Sequence, residues 1–170
     1  MTDGFLKIPK MRIGVIIGKS GETKKKLEDE LGAKIDINSE GEISYSAKDP
    51  LNQMKLADIL KAIGRGFTPD EALVLETDEY ILHIIDLDLI LNKNEKAVER
   101  YKSRIIGTGG TIRKKIEDMT DTKICVYGKT ASIIGLPGNV QIANEAVQMI
   151  LDGMTHKAVY AFLDKKSMNL

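Results

Sequence analysis

Tryptophan is absent from this 170-residue chain, and there are only one cysteine and two histidines. A single thiol, Cys125, cannot close an internal disulfide, and with only His83 and His156 available it cannot complete a Cys/His metal cluster. No metal or other cofactor is therefore expected, and a reducing compartment is. With three phenylalanines and no tryptophan, aromatic stacking on a ligand should be minor. Net charge is also missing: 25 Lys plus Arg offset 25 Asp plus Glu. That balance excludes a uniformly basic nucleic-acid coat but leaves the local distribution open. No apolar run approaches the roughly 20 residues that cross a bilayer, so no membrane partner is expected. The opening Met1-Thr2-Asp3-Gly4-Phe5 lacks the basic-then-apolar order of a secretory signal, and the expected location is cytoplasmic. At 42% hydrophobic and 29% charged residues, the chain can bury a core.

The chain also matches itself. Ile17-Gly18-Lys19-Ser20-Gly21 aligns with Ile106-Gly107-Thr108-Gly109-Gly110 at an offset of 107 − 18 = 89. The register continues without gaps: Lys25-Lys26 meets Lys114-Lys115, Glu28-Asp29 meets Glu117-Asp118, and Lys34-Ile35 meets Lys123-Ile124. Leu27 faces Ile116 and Ile37 faces Val126, so apolar character is kept where identity is not.

Periodicity gives both copies one order of elements. In the first, Phe5 to Ile8 reads as a strand and Met11 to Ile17 as a helix. A second helix runs from Glu22 to Leu31 and ends at Gly32. Strands at Lys34–Asn38 and Glu42–Ala47 follow, then a helix from Pro50 to Ile63 with Met54, Leu56, Ile59, Leu60 and Ile63 as its apolar stripe. In the second copy the strands are Tyr80–Leu87, Lys123–Tyr127 and Thr130–Ile134, with helices at Lys96–Ile106, Thr111–Met119 and Gly138–Leu151. An insertion at Asp88–Lys96 lengthens the first connection of this copy. Thr68 caps a short linker helix, and Thr155–Lys166 forms one further helix. The expected organisation is an α+β protein of two β-α-α-β-β-α domains. These cover 1–67 and 80–153, with a linker at 68–79 and a C-terminal helix and tail at 154–170.

Both repeat loops have the form Gly-x-x-Gly between helices. Glycine permits the tight turn and lets a ligand backbone approach closely. The amides opening the next helix favour a phosphate, and Lys24-Lys25-Lys26 and Arg113-Lys114-Lys115 lie one turn further on. The neighbouring strand offers Ile35 and Ile37, or Ile124 and Val126, as an apolar floor for unstacked bases. Charge is segregated accordingly. Lys7 to Lys26 holds seven basic residues and one acid, and Arg100 to Lys115 holds six basics and no acid. Asp70 to Glu99 holds nine acids against Lys93 and Lys96. Local phosphate contact fits that pattern. A lone Gly-x-x-Gly is more often a plain helix–helix turn; two in one repeat frame, each leading into a basic helix, point the other way.

Ile-Gly-x-x-Gly inside β-α-α-β-β-α resembles the type I KH domain of RNA-binding proteins, and the resemblance covers most of residues 5–64 and 80–152. The tandem pair with its long second-copy first helix is similar to archaeal two-KH proteins. These are related to the eukaryotic partner-of-Nob small-subunit assembly factors. The resemblance implies a non-enzymatic protein that clamps single-stranded RNA in its glycine loops. The implied RNA is pre-ribosomal, near the 3′ end of small-subunit RNA, with a maturation endonuclease or other assembly protein as partner. The implied contacts are Gly18, Lys19, Ser20, Gly21, Lys24 and Lys25, and Gly107, Thr108, Gly109, Gly110, Arg113 and Lys114. Arg12, Arg104, Ile37 and Val126 are further candidates. The second loop departs from the family by lacking a basic residue at its centre; Arg104 or Arg113 could supply the charge instead.

Two rival classes remain open on sequence. A protein-interaction adaptor would use the KH folds only as scaffolds. A nucleotide triphosphatase is suggested by Gly14-Val15-Ile16-Ile17-Gly18-Lys19-Ser20, but the phosphate-loop motif needs four residues between its first glycine and Gly-Lys-Ser, and three are present. Asp86 and Asp88 share a strand face by period-two alternation and could hold a metal, although an edge or loop pair is the commoner outcome. His83 reads as a structural histidine, His156 as solvent-facing, and Cys125 as an inert thiol.

Overall fold

The structure, a computed structural model, describes residues 3–168. Residues 1, 2, 169 and 170, which fall in the expected first domain and tail, lie outside that range. The chain divides into two compact units between Asp78 and Glu79.

In the first unit, β1 (Gly4–Lys7) and β2 (Ala33–Ile37) flank β3 (Glu42–Ala47) in an antiparallel sheet. Phe5 lies opposite Ser44 and Ile35 opposite Tyr45. Alternation along β3 turns Ile43, Tyr45 and Ala47 inward. Between β1 and β2 come α1 (Ile13–Ile17) and α2 (Glu22–Leu31), and α3 (Pro50–Gly64) follows β3. Pro50 opens α3 where no N–H is needed, and the Asp49 side chain caps it by accepting from Leu51 N at 2.9 Å. Ile16, Leu27, Leu56, Ile59, Leu60 and Ile63 join Ile35 and Ile43 in the core. Each fully buried large aliphatic contributes about 1.5–3 kcal/mol. The chain then forms α4 (Pro69–Ala72), opened by a reciprocal Thr68–Glu71 capping box, and a 3-10 turn over Leu73–Glu76 that buries Leu75.

Two expectations for this unit fail. Met11 to Ile17 is not one helix: a 3-10 turn at Lys10–Arg12 leads into α1, and Met11 is 84% exposed. Met54 is 68% exposed, because the stripe of α3 runs through Leu56, Ile59, Leu60 and Ile63, and residue 54 falls on the opposite side of the helix.

The second unit repeats the plan with β4 (Ile81–Asp86) and β5 (Lys123–Tyr127) either side of β6 (Thr130–Gly135). Ile85 pairs with Ala131 and Ile124 with Ile133. Helices α6 (Glu95–Ile106), α7 (Thr111–Thr120) and α8 (Pro137–Leu151) cover the sheet, with Ile105, Ile116, Val147 and Ile150 in the core. The expected insertion contains α5 (Leu87–Ile90), whose N-terminus is capped by Asp86 accepting from Leu89 N at 3.0 Å. Since β4 stops at Asp86, Asp88 belongs to α5, and the two carboxylates do not form the same-face strand pair. The last helix, α9 (His156–Ser167), docks on α7 and α8 through buried Val159 and Leu163. His156 is not simply solvent-facing: it is half-buried, with Nε2 3.1 Å from Arg104 O. Among the described residues no helix is long and apolar enough to cross a membrane.

Candidate nucleic-acid interface

The two glycine loops have nearly the same backbone. Gly18, Ser20 and Gly21 stand at φ/ψ of 76/175°, 55/26° and 76/11°; Gly107, Gly109 and Gly110 stand at 76/170°, 64/19° and 79/14°. The first glycine of each loop allows a close approach. A Cβ on Gly18 would strike the Thr23 side chain and lie 2.9 Å from Thr23 N; one on Gly107 would strike Ile112 and lie 2.9 Å from Ile112 N. The third position is left-handed in both loops. In the second copy glycine occupies it, whereas in the first Ser20 adopts a conformation that L-residues other than Asn and Asp rarely take.

Hydrogen bonds narrow which amides can meet an anion. Gly21 N donates to Gly18 O at 3.2 Å and Gly110 N to Gly107 O at 3.1 Å, while Glu22 N and Thr111 N donate to Lys19 O and Thr108 O. The amides at the very start of α2 and α7, expected to serve a phosphate, are thus engaged inside the turn. The N–H groups of Lys19 and Ser20, and of Thr108 and Gly109, open each turn and have no acceptor within it. Lys19, Ser20, Thr108 and Gly109 are exposed, as are Lys25 and Lys114. Among the described residues no carboxylate lies within ion-pairing distance of Lys19, Lys25 or Lys114.

Lys24 and Arg113, at equivalent positions, are paired instead. Lys24 Nζ lies 3.3 Å from Glu28 Oε1, and Arg113 Nη1 donates to Glu117 Oε1 at 2.8 Å. The other carboxylate oxygen of each acid accepts an amide of the neighbouring edge strand: Ile35 N to Glu28 Oε2 at 3.0 Å, and Ile124 N to Glu117 Oε2 at 2.8 Å. These bonds mark the outer edges of β2 and β5. By antiparallel alternation, the backbone groups of Ile37 and Val126 face the same way. The side chains of Ile37 and Val126 are half-buried. Ile37 also lines a shallow depression of about 670 Å³ with Phe5, Lys7, Asp36 and Ser44.

Arg12 and Arg104 are occupied elsewhere. Arg12 donates from Nε to Ile63 O at 2.8 Å and from Nη2 to Phe67 O at 2.8 Å, holding the C-terminus of α3. Arg104 donates from Nη1 to Ile150 O at 3.3 Å and from Nη2 to Met154 O at 2.7 Å, holding the end of α8, with its guanidinium 5.6 Å from the Tyr101 ring centre. Of the two cations offered for the second loop, only Arg113 lies at it: Nη2 is 3.5 Å from where a Cβ on Gly110 would be. Sequence reasoning missed the acids Glu28 and Glu117, although the repeat alignment already placed them opposite one another. The triphosphatase reading loses its loop, because Gly14 lies inside α1.

Two β-α-α-β-β-α units, each with a glycine loop between its first two helices, define a tandem KH protein of type I topology. Comparison with known proteins agrees. A model described as the eukaryotic type KH domain (KH-domain type I) matches residues 81–168, and one described as the KH domain matches residues 5–52. The chain belongs to this family. It is 44% identical to a KH domain-containing protein of Methanocaldococcus jannaschii, over 98% of this chain and 74% of that one. It is 29% identical to the pre-rRNA-processing protein pno1 of Schizosaccharomyces pombe, over 71% of this chain and 50% of the relative, so it spans about half the length of that protein. Among solved structures, it is similar to Dim2p from Pyrococcus horikoshii, with a TM-score of 0.90 and 40% identity over 97% of this chain and 99% of that one. A chain in the a/eIF2alpha–aDim2p–rRNA complex of the same organism gives a TM-score of 0.92 and 42% identity, covering 99% and 96%.

Proposed function

We propose that this protein binds single-stranded RNA through its two glycine loops, without catalysing a reaction, and acts on pre-ribosomal RNA near the 3′ end of the small-subunit RNA. The observation that carries the reading is the pair of loops with matching left-handed backbone, exposed turn-opening residues and, among the described residues, no carboxylate paired to Lys19, Lys25 or Lys114. Phosphates meet the amides of Lys19-Ser20 and Thr108-Gly109, and the lysines add charge. Bases lie along the outer edges of β2 and β5, against Ile37 and Val126. The related Dim2p in a complex with rRNA and the pre-rRNA-processing relative support the choice of RNA. The same complex contains a/eIF2alpha, which supports a protein partner alongside the RNA. A maturation endonuclease is a further partner in this reading, and the cytoplasm its location.

Fluorescence anisotropy with short single-stranded RNA from the small-subunit 3′ end, at two salt concentrations, tests the reading. Wild type is compared with Lys19→Asp/Ser20→Asp and Thr108→Asp/Gly109→Asp. Aspartate tolerates the left-handed third position, so the loops keep their fold while losing anion affinity. Micromolar or tighter, salt-sensitive binding that is lost in one or both variants is expected. Wild type that does not bind overturns the reading and leaves the scaffold role.

A further inference from the structure

A carboxylate beside a phosphate site is an electrostatic liability, yet each copy has one in the same frame and more than half-buried. The Glu117 side chain is 13% exposed and that of Glu28 24%. Each acid uses both oxygens, one on the cation four residues earlier and one on the edge strand. The copies differ in where the cation ends. Arg113 is long and forked: Nη1 is held by Glu117, and Nη2 is left beside Gly110. In the first copy nothing lies within 4 Å of a Cβ position on Gly21, and the single ammonium of Lys24 is spent on Glu28 Oε1 at 3.3 Å. That loop has Lys19 in its own centre; the second has Thr108-Gly109 there.

We infer that Glu117 is a positioning residue for RNA binding: it fixes the Arg113 guanidinium against Gly110 and so gives the second glycine loop the cation its own sequence lacks. Glu28 shares the strand anchor but directs no cation to its loop. This inference rests on the RNA reading above. It makes a prediction opposite in sign to simple electrostatics. Removing a negative charge from an RNA site should tighten binding, whereas releasing Arg113 should weaken it despite the gain in net positive charge.

The test is a double-mutant cycle on the full chain, by anisotropy with the same RNA: wild type, Glu117→Gln, Arg113→Met and the double variant. Glutamine keeps one oxygen for Ile124 N but turns an amide NH2, with no acceptor, toward the guanidinium. Slow exchange of the Ile124 amide checks that the strand anchor survives. Glu117→Gln is expected to weaken binding about threefold to fivefold, in keeping with a solvent-screened contact. Arg113→Met should do the same, and the double variant should be no weaker than either. Unchanged or tighter binding by Glu117→Gln, or losses that multiply in the double variant, overturns the inference while leaving the RNA reading intact. If the Ile124 amide loses protection, the comparison passes to Arg113→Lys, which keeps the charge without the fork; full affinity there also overturns it. Absence of binding by wild type refutes the RNA reading and this inference with it.

Discussion

Replacing Arg104 with methionine separates a structural arginine from an RNA-binding one. Methionine keeps the apolar stem and removes the guanidinium. Two charge-assisted bonds are lost, to the partly buried Ile150 O at 3.3 Å and to the exposed Met154 O at 2.7 Å, with the approach to the Tyr101 ring. Water replaces the bond at Met154, so most of the cost comes from the end of α8, for a total of about 1.5 kcal/mol. At roughly 4–8 °C per kcal/mol for a domain of 60–100 residues, the second unit should melt about 6–12 °C lower. RNA affinity, measured by anisotropy well below the transition, should stay within about twofold of wild type, because the guanidinium already faces protein carbonyls. Thermal denaturation by circular dichroism gives the first number. An unchanged Tm together with a large loss of affinity refutes the assignment and returns Arg104 to the interface.

The remaining predictions concern stability. Burial of one carboxylate oxygen, with a hydrogen bond to and the charge of Glu30, raises the Glu76 pKa from 4.5 to about 7. A carboxyl whose folded pKa is raised stabilises fully below its unfolded pKa and loses that contribution as pH climbs through the folded value. Glu76→Gln should therefore leave stability nearly unchanged at pH 4, and raise it by about 1 kcal/mol at pH 8 once solvent screening is allowed for. Denaturant titrations of both proteins at the two pH values check this, and a gain of equal size at both contradicts the cause assigned. Asp121 ends α7 at φ 52°, where the first copy has Gly32 at φ 57°. Asp121→Gly should stabilise by about 0.5–1 kcal/mol, the relief of left-handed strain less the added unfolded-state entropy; a lower urea midpoint argues against it.

The repeat made the topology and both loops legible, because an 89-residue offset kept the glycines, the basic helix starts and the apolar strand positions in step. The roles of Arg12 and Arg104 were hidden because the repeat breaks its register there. Gly18 follows Arg12 by six residues and Gly107 follows Arg104 by three, yet both arginines hold the end of the last helix. The carbonyls they reach, Ile63 and Phe67 in one copy and Ile150 and Met154 in the other, do correspond, at an offset of 87. Neither periodicity nor spacing signals a side chain that folds back onto a distant carbonyl. Ser20 gives no left-handed signal of its own and Asp121 only a weak one; the signal lies in the other copy, where the 89-residue offset sets Gly109 and Gly32 opposite them. The short α5 does not show in the sequence, where Leu87 closes the expected strand and Asp88 opens the insertion, because four residues are too few to show a period.

The acids on Ile35 N and Ile124 N also affect what can pair with β2 and β5. Both are edge strands, and an edge with a regular row of unsatisfied donors and acceptors invites another chain to add a strand. A carboxylate on one of those donors breaks the row after a single residue. An incoming polypeptide strand needs several consecutive ladder bonds to hold its register, and it finds the ladder interrupted. A nucleotide base needs only one donor and one acceptor, and the backbone of Ile37 or Val126 still offers both. In the proposed RNA-binding role the edge therefore favours a base over a polypeptide strand, and the same interruption limits self-association through it.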